Sequence, residues 1–193
     1  MTGAITAILP AFNEEVSIGS LVLHCRQHAD CVIVVDDGSK DHTAEIAEMA
    51  GAKIIRHPAN KGKGAALKTG FELVAQNGTK VIVTLDSDGQ HDPEEIPKLV
   101  APILAGEADM VNGSRYMNGN GKNTPFYRRI GQSVHDRAAN LNSGRHVTDT
   151  QSGFHGIREV WSIPNKYTFE LIACWWSIIK VHVNKNKLRR VFT

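Results

Sequence analysis

Two acidic turns in this sequence each follow a short apolar run, and both are placed to do chemistry. Asp86, Ser87, Asp88, Gly89 and Gln90 come directly after Val-Ile-Val-Thr-Leu at 81–85. Two carboxylates one residue apart at a strand end can reach one divalent cation. Hard oxygen ligands suit Mg²⁺ or Mn²⁺, which also hold phosphate oxygens. Gln90 can add a neutral oxygen. An Asp-x-Asp turn alone reads equally well as a solvated acidic loop. A second strand-end acidic pair, Asp36 and Asp37 before Gly38 and Ser39, tilts the balance towards the metal. A carboxylate there can accept from a nucleobase N–H or a ribose hydroxyl, or build an Asx-type turn that caps the next helix. One of the two is available for each job. Pro10, Ala11, Phe12, Asn13, Glu14 and Glu15 form a third polar turn. The proline is expected to end the first strand, and the acids favour a helix N-terminus. A plain strand-to-helix turn explains the acids but not the Pro-x-aromatic-Asn-Glu order.

Arg115 follows the fifth apolar run, and Arg128 and Arg129 open a later helix with Ser133 four residues on from Arg129. That spacing puts Arg129 and Ser133 on one helix face. Guanidinium forks bind phosphate bidentately, while the plainer reading is surface arginines. Asn60-Lys61-Gly62-Lys63-Gly64 lacks the G-x-x-x-x-G-K-[ST] spacing of an ATPase loop, so it reads as a glycine turn opening a helix near the sheet. No G-x-G-x-x-G follows the first strand, which disfavours a dinucleotide-binding dehydrogenase. The nine histidines show no H-E-x-x-H or other ligand spacing and read as structural or solvated.

These turns need strands and helices to hold them. Apolar runs at 4–9, 31–35, 53–55, 81–85 and 110–111 read as strands. Helix-period segments lie at 16–28, 42–50, 64–77 and 125–141, and Asp92-Pro93-Glu94-Glu95 is a strong helix start. Residues 117–123 read as a loop. Alternation of strands and helices, with near-continuous Val/Ile/Leu strands, means an α/β fold whose mostly parallel sheet carries helices on both faces. Ligands bind such sheets at the carboxyl ends of the strands, near a switch in strand order. That gives 10–14, 36–39, 86–91 and 112–116 the most weight.

The 193 residues allow one domain and hardly two. They carry 22 Lys/Arg against 20 Asp/Glu, a net +2 that offers no basic excess for nucleic acid. The charge is split: residues 1–157 hold 15 basic and 18 acidic side chains, and residues 158–193 hold 7 and 2. Trp161, Trp175 and Trp176 also fall in the second piece. No run approaches the length of a membrane span. The start shows no signal-peptide pattern, and the three cysteines follow no metal or disulfide spacing, so reduced thiols in the cytoplasm are expected.

Taken together, the stretches LPAFNEE, VIVVDDGSKDHT, HPANKGKGAALKTGF, VIVTLDSDGQHDPEEIPKLV, ADMVNGSRY and DTQSGF resemble, in order, the family-2 glycosyltransferases. The nearest subgroup is the dolichol- or polyprenol-phosphate mannosyl- or glucosyltransferase-like proteins. The resemblance covers residues 4 to 157 and implies an A-type glycosyltransferase fold. It further implies that Pro10, Phe12 and Glu14 line a nucleotide pocket. Val35 and Asp37 would contact base and ribose, and Asp86, Ser87 and Asp88 would lie along the diphosphate. Asp86, Asp88 and Gln90 would hold the metal, and Arg115, Arg129 and Ser133 would receive an acceptor phosphate. Asp86, Asp88 and Arg115 then carry the reaction, beside a loop containing Asp149, Gln151 and Ser152. The implied activity is inverting, metal-assisted transfer of a sugar from a nucleoside-diphosphate donor, of GDP-mannose or UDP-glucose type, to a lipid phosphate at the membrane's cytoplasmic face. The alternative is a catalytically impaired, nucleotide-sugar-binding remnant. A haloacid-dehalogenase-type phosphatase shares the strand-Asp-x-Asp-Gly pattern, but its usual Thr or Val after the Gly is Gln90 here.

The resemblance fades after Phe154. Arg158 stands near a position where the family has an arginine. Residues 158–193 form an atypical basic segment of the same domain, with three readings open: a divergent closure of the acceptor side, a segment lying on the membrane, or a defective end.

Overall fold

The structure is a computed structural model that describes residues 4–75, 78–89, 91–113 and 153–158, and the strand at 191–192. In chain order the elements are β1 (Ile5–Ala11), α1 (Ile18–His28), β2 (Cys31–Asp36), α2 (Thr43–Met49), β3 (Lys53–Arg56), α3 (Lys63–Val74) and β4 (Val81–Thr84). A 3₁₀ turn (Pro93–Glu95) then leads into α4 (Ile96–Leu104), followed by β5 (Met110–Asn112), β6 (His155–Arg158) and β7 (Val191–Phe192). The strands form one sheet in the order β3-β2-β1-β4-β6-β5-β7. Neighbours pair in parallel except β6, which runs antiparallel to both β4 and β5.

Alternation along the strands sorts the core into two faces. Ala7, Leu9, Val32, Val34, Val81 and Val83 pack with α1 and α4 on one side, and Ala47 of α2 joins them. Ile8, Ile33, Val35 and Ile82 pack under Ala66, Phe71 and Val74 of α3 on the other. The strands are therefore apolar on both faces, which is why they read as continuous hydrophobic runs. The turn before α4 follows local capping rules. Asp92 accepts the Glu94 amide at 3.0 Å with Pro93 next to it, as the sequence predicts. Burial pushes the Cys25 thiol up to about 12, so it is an inert core residue. No described helix is long and apolar enough to cross a membrane.

Three expectations need correction. Pro10 does not end β1: the strand runs to Ala11, with Pro10 opposite Val35 of β2. β4 pairing stops at Ile8–Thr84, and the Pro10 carbonyl on that side accepts from Ser87 Oγ at 2.8 Å. The missing N–H faces where the ladder has already ended, so no sheet hydrogen bond is lost. Helix α1 starts at Ile18 rather than 16, leaving Val16 exposed. β6 is a strand the sequence did not announce, because His-Gly-Ile-Arg contains one strong strand former. Arg158 closes it by reaching the carbonyls of Ile103 (3.2 Å) and Ala108 (3.0 Å) and pairing with Asp109 at 3.4 Å. These contacts fasten the end of α4. The expected helix at 125–141, the loop at 117–123 and all three tryptophans lie outside the described residues.

The α3–sheet contact relies on Gly70, where an added Cβ would come 2.6 Å from Ile8 Cγ2. Ile8 is fully buried and has no room to yield. Overpacking costs about 1–3 kcal/mol, against about 1 kcal/mol gained from alanine's helix preference. Gly70→Ala is therefore expected to lower the urea midpoint with an unchanged m-value. A midpoint at or above wild type would show that α3 does not approach the sheet this closely.

Candidate functional site

The strand order reverses beside β1: β2 and β3 extend to one side and β4 to the other. Ligands of open α/β sheets bind in the crevice this creates. The three polar turns predicted from sequence follow β1, β2 and β4, so all border it.

The turn after β1 is laced to the turn after β2. Asn13 adopts φ 57, and its side-chain oxygen accepts the Lys40 amide at 3.0 Å while its own amide donates to Ser39 Oγ at 2.9 Å. The Glu14 amide donates to Thr43 Oγ1 at 2.8 Å, and the His42 amide donates to Glu15 Oε2 at 3.0 Å. Asparagine tolerates this left-handed backbone better than most residues, which accounts for the Asn in the motif. Phe12 is left 41% exposed at the rim.

Asp36 and Asp37 are both buried, and neither lacks partners. Asp36 accepts the Ser39 amide at 2.9 Å and pairs with Arg56 at 3.1 Å, the Asx-type turn foreseen for one of the two. Asp37 collects the amides of Lys61 (3.0 and 3.1 Å) and Gly62 (2.7 Å) and takes His57 Nδ1 at 2.6 Å. The far nitrogen of His57 meets Thr69 Oγ1 at 2.9 Å. Asp37 thus fastens the segment that starts α3. The histidines, His57 among them, read as structural or solvated in the sequence, and their spacing gives no sign of this partner. Val35 is fully buried among the α3-side core, which leaves only its backbone for a ligand.

The turn after β4 is pinned from below. Ser87 is buried, with its hydroxyl donating to Pro10 O and its carbonyl accepting from Ser17 Oγ at 2.8 Å. The same Ser17 hydroxyl lies 3.0 Å from Glu14 Oε2 and so stands between the β1 turn and the β4 turn. Asp86 pairs with Lys63, the first residue of α3. A Cβ added at Gly153 would fall on the Asp86 carboxylate. Thr84 Oγ1 donates to Gly153 O at 3.2 Å, fixing that close approach. Phe154 packs its ring against His91 at 5.4 Å. Asp88 is exposed. Gln90, Arg115, Arg129, Ser133, Asp149, Gln151 and Ser152 lie outside the described residues.

The Asp86–Asp88 turn fits a divalent cation on two observations. Its donors are hard carboxylate oxygens, and a cation, the Lys63 ammonium, already sits on Asp86. No three His, Cys, Asp or Glu side chains gather into a metal cluster among the described residues.

Residues 6–163 match glycosyl transferase family 2. A UDP-N-acetylglucosamine–dolichyl-phosphate N-acetylglucosaminyltransferase of Methanococcus voltae is 36% identical over 169 residues, covering 78% of this chain and 67% of that protein. A dolichol-phosphate mannosyltransferase of Pyrococcus furiosus is 36% identical over 168 residues, covering 80% and 46%. Among solved structures, glucosyl-3-phosphoglycerate synthase of Mycobacterium tuberculosis with Mn²⁺, UDP-glucose and phosphoglyceric acid superposes with a TM-score of 0.66 at 28% identity, covering 82% and 58%. The chain thus spans between 46% and 67% of the lengths of these proteins. The sheet is that of an A-type glycosyltransferase, as its sequence predicts.

Asp41 gives the lacing a pH signature. It accepts the Thr43 amide at 3.1 Å, the Thr43 hydroxyl, and the Glu15 amide at 3.2 Å. Partial burial pulls its pKa up, but these hydrogen bonds outweigh that and leave the carboxyl below the ordinary Asp value. A folded pKa below the unfolded one stabilises above the unfolded pKa of about 3.9 and loses that stability as pH falls through the folded value. Asp41→Ala is expected to cost roughly 1 kcal/mol near neutrality, the scale of a lost helix-start acceptor. The difference from wild type should shrink in urea titrations below pH 4 or so. A difference independent of pH would remove the carboxylate from this role.

Proposed function

The chain belongs to glycosyltransferase family 2, and on that premise we propose that it moves a sugar from a nucleoside diphosphate to a polyprenyl or dolichyl phosphate, inverting the anomeric carbon. The observation that carries this reading is the Asp86–Asp88 turn at the strand-order switch, pinned to the β1 turn and already holding a cation. Support for the acceptor comes from relatives whose names specify dolichyl phosphate.

In this reading Pro10, Phe12 and Glu14 border the base and ribose, with the exposed Phe12 ring offering an apolar face. The Val35 backbone and Asp37 form the floor. A divalent cation, Mg²⁺ or Mn²⁺, held by Asp86, Asp88 and Gln90, would supply Lewis-acid neutralisation of charge on the departing diphosphate. The acceptor phosphate oxygen bonds to the anomeric carbon from the opposite face while the bond to the diphosphate breaks. A phosphate is anionic near neutral pH, so Arg115, Arg129 and Ser133 position it and no base needs to remove a proton. A sugar-hydroxyl acceptor would need one, and Asp149 is the first candidate. A lipid acceptor would put the working protein at a membrane surface, and the cytoplasmic face is part of this proposal.

The test is calorimetry with GDP- and UDP-sugars plus Mn²⁺, followed by turnover on polyprenyl phosphate. Asp88→Ala is expected to abolish both transfer and metal-dependent nucleotide binding. Full activity of that variant in EDTA sinks the metal assignment. Donor binding by wild type without turnover supports the impaired-remnant reading instead. Gly153→Ala pushes a methyl onto the Asp86 carboxylate. It is expected to weaken metal-dependent nucleotide binding by roughly ten-fold or more, the scale of disturbed ligand support. An affinity equal to wild type would show that Gly153 does not set the position of Asp86.

A further inference from the structure

Helix α3 breaks the usual rules for a helix start. Acidic side chains and capping hydroxyls or amides favour that end, because unpaired amides give it partial positive charge. Here the N-cap is Gly62 at φ 91 with no capping side chain, the first turn has no acid, and the first residue is Lys63. A cation at this end is locally unfavourable, and Asp86, reached from the end of β4, offsets it. The pair is part-buried, with the lysine side chain 39% and the aspartate 24% exposed. Added Cβ atoms at Gly62, Gly64 and Gly89 would meet nothing within 4 Å among the described residues. Asp37 holds the Lys61 and Gly62 amides directly before Lys63 and fixes where the ammonium starts from.

We propose that Lys63 is the counter-ion of Asp86 before ligand binds and competes there with the divalent cation, so that metal loads well only together with the nucleotide. The inference rests on the metal-and-nucleotide reading of this turn. A free cation must displace the ammonium from Asp86 and leave it unpaired beside a positive helix end. A metal–nucleotide complex brings phosphate charge to which the released ammonium can turn. Lys63 is therefore a positioning residue, acting through Asp86, and it makes metal and nucleotide binding cooperative.

Loss of this competitor and general damage move metal affinity in opposite directions. Lys63→Met is expected to tighten Mn²⁺ binding without nucleotide by about five-fold, the scale of a partly screened ion pair. It should also reduce the enhancement of Mn²⁺ affinity that saturating UDP or GDP gives wild type. Mn²⁺ electron paramagnetic resonance reads both quantities without turnover. Lys63→Arg keeps a cation and should stay near wild type. Lys63→Gln, checked for folding by circular dichroism, repeats the test should the methionine variant not fold. Unchanged or weaker nucleotide-free Mn²⁺ binding in either folded neutral variant overturns the role of Lys63 while leaving the site reading intact. Absence of Mn²⁺-dependent nucleotide binding in wild type overturns the site reading, and this inference with it.

Discussion

Carboxylates crowded at the ends of parallel strands repel one another and lose hydration, and each needs a donor to remain there. That constraint shapes this end of the sheet. Asp36 takes Arg56 and the Ser39 amide. Asp37 takes His57 and the Lys61 and Gly62 amides. Asp41 takes Thr43 and the Glu15 amide. Asp86 takes Lys63. Most of these donors come from a neighbouring turn rather than from the aspartate's own, so satisfying the charge also stitches the loops together. The turns of the crevice are tied to one another because its acids need partners.

The two acidic turns look alike in sequence and do different work. The pair after β2 is buried and fully engaged in architecture. The pair after β4 leaves Asp88 exposed and Asp86 partly so, with a single mobile-type cation, a lysine, on the latter. Asp36 lies within β2, whereas Asp86 comes two residues after β4 ends at Thr84. Asp37, just past β2, is buried as well and held by His57 and two amides, so burial and partners rather than position in the strand leave Asp86 and Asp88 the more open pair.

Much of this was legible from residues. The strands at 31–36 and 81–84 read as apolar runs because helices cover both faces. Asp92-Pro93 announced a helix start through local hydrogen bonding alone. What stayed hidden depends on distant partners. Nothing near Pro10 says that β4 stops two residues short of it. Nothing near His57 says that Asp37, 20 residues earlier, receives its ring nitrogen. β6 is held between β4 and β5 by their edges, not by its own strand propensity. The acceptor-side residues Arg115, Arg129 and Ser133 rest on sequence and resemblance alone.

The breaches of local rules are themselves informative, because they gather at one place. A proline sits inside β1, Asn13 has a left-handed backbone, a lysine begins α3, and Gly153 backs onto a carboxylate. All four border the crevice beside β1 and β4. Elsewhere some rules are kept, with Arg26 and His28 in the last turn of α1 and an aspartate cap and a proline in the turn before α4, although Pro102 sits inside α4. Conflicts with local propensity that meet around one crevice are expected where function needs them. The pinned proline and the inverted helix start serve the same end, since each fixes one flank of the Asp86–Asp88 turn. The strand end that looks chemically active from its residue types is also the one for which the fold gives up local stability.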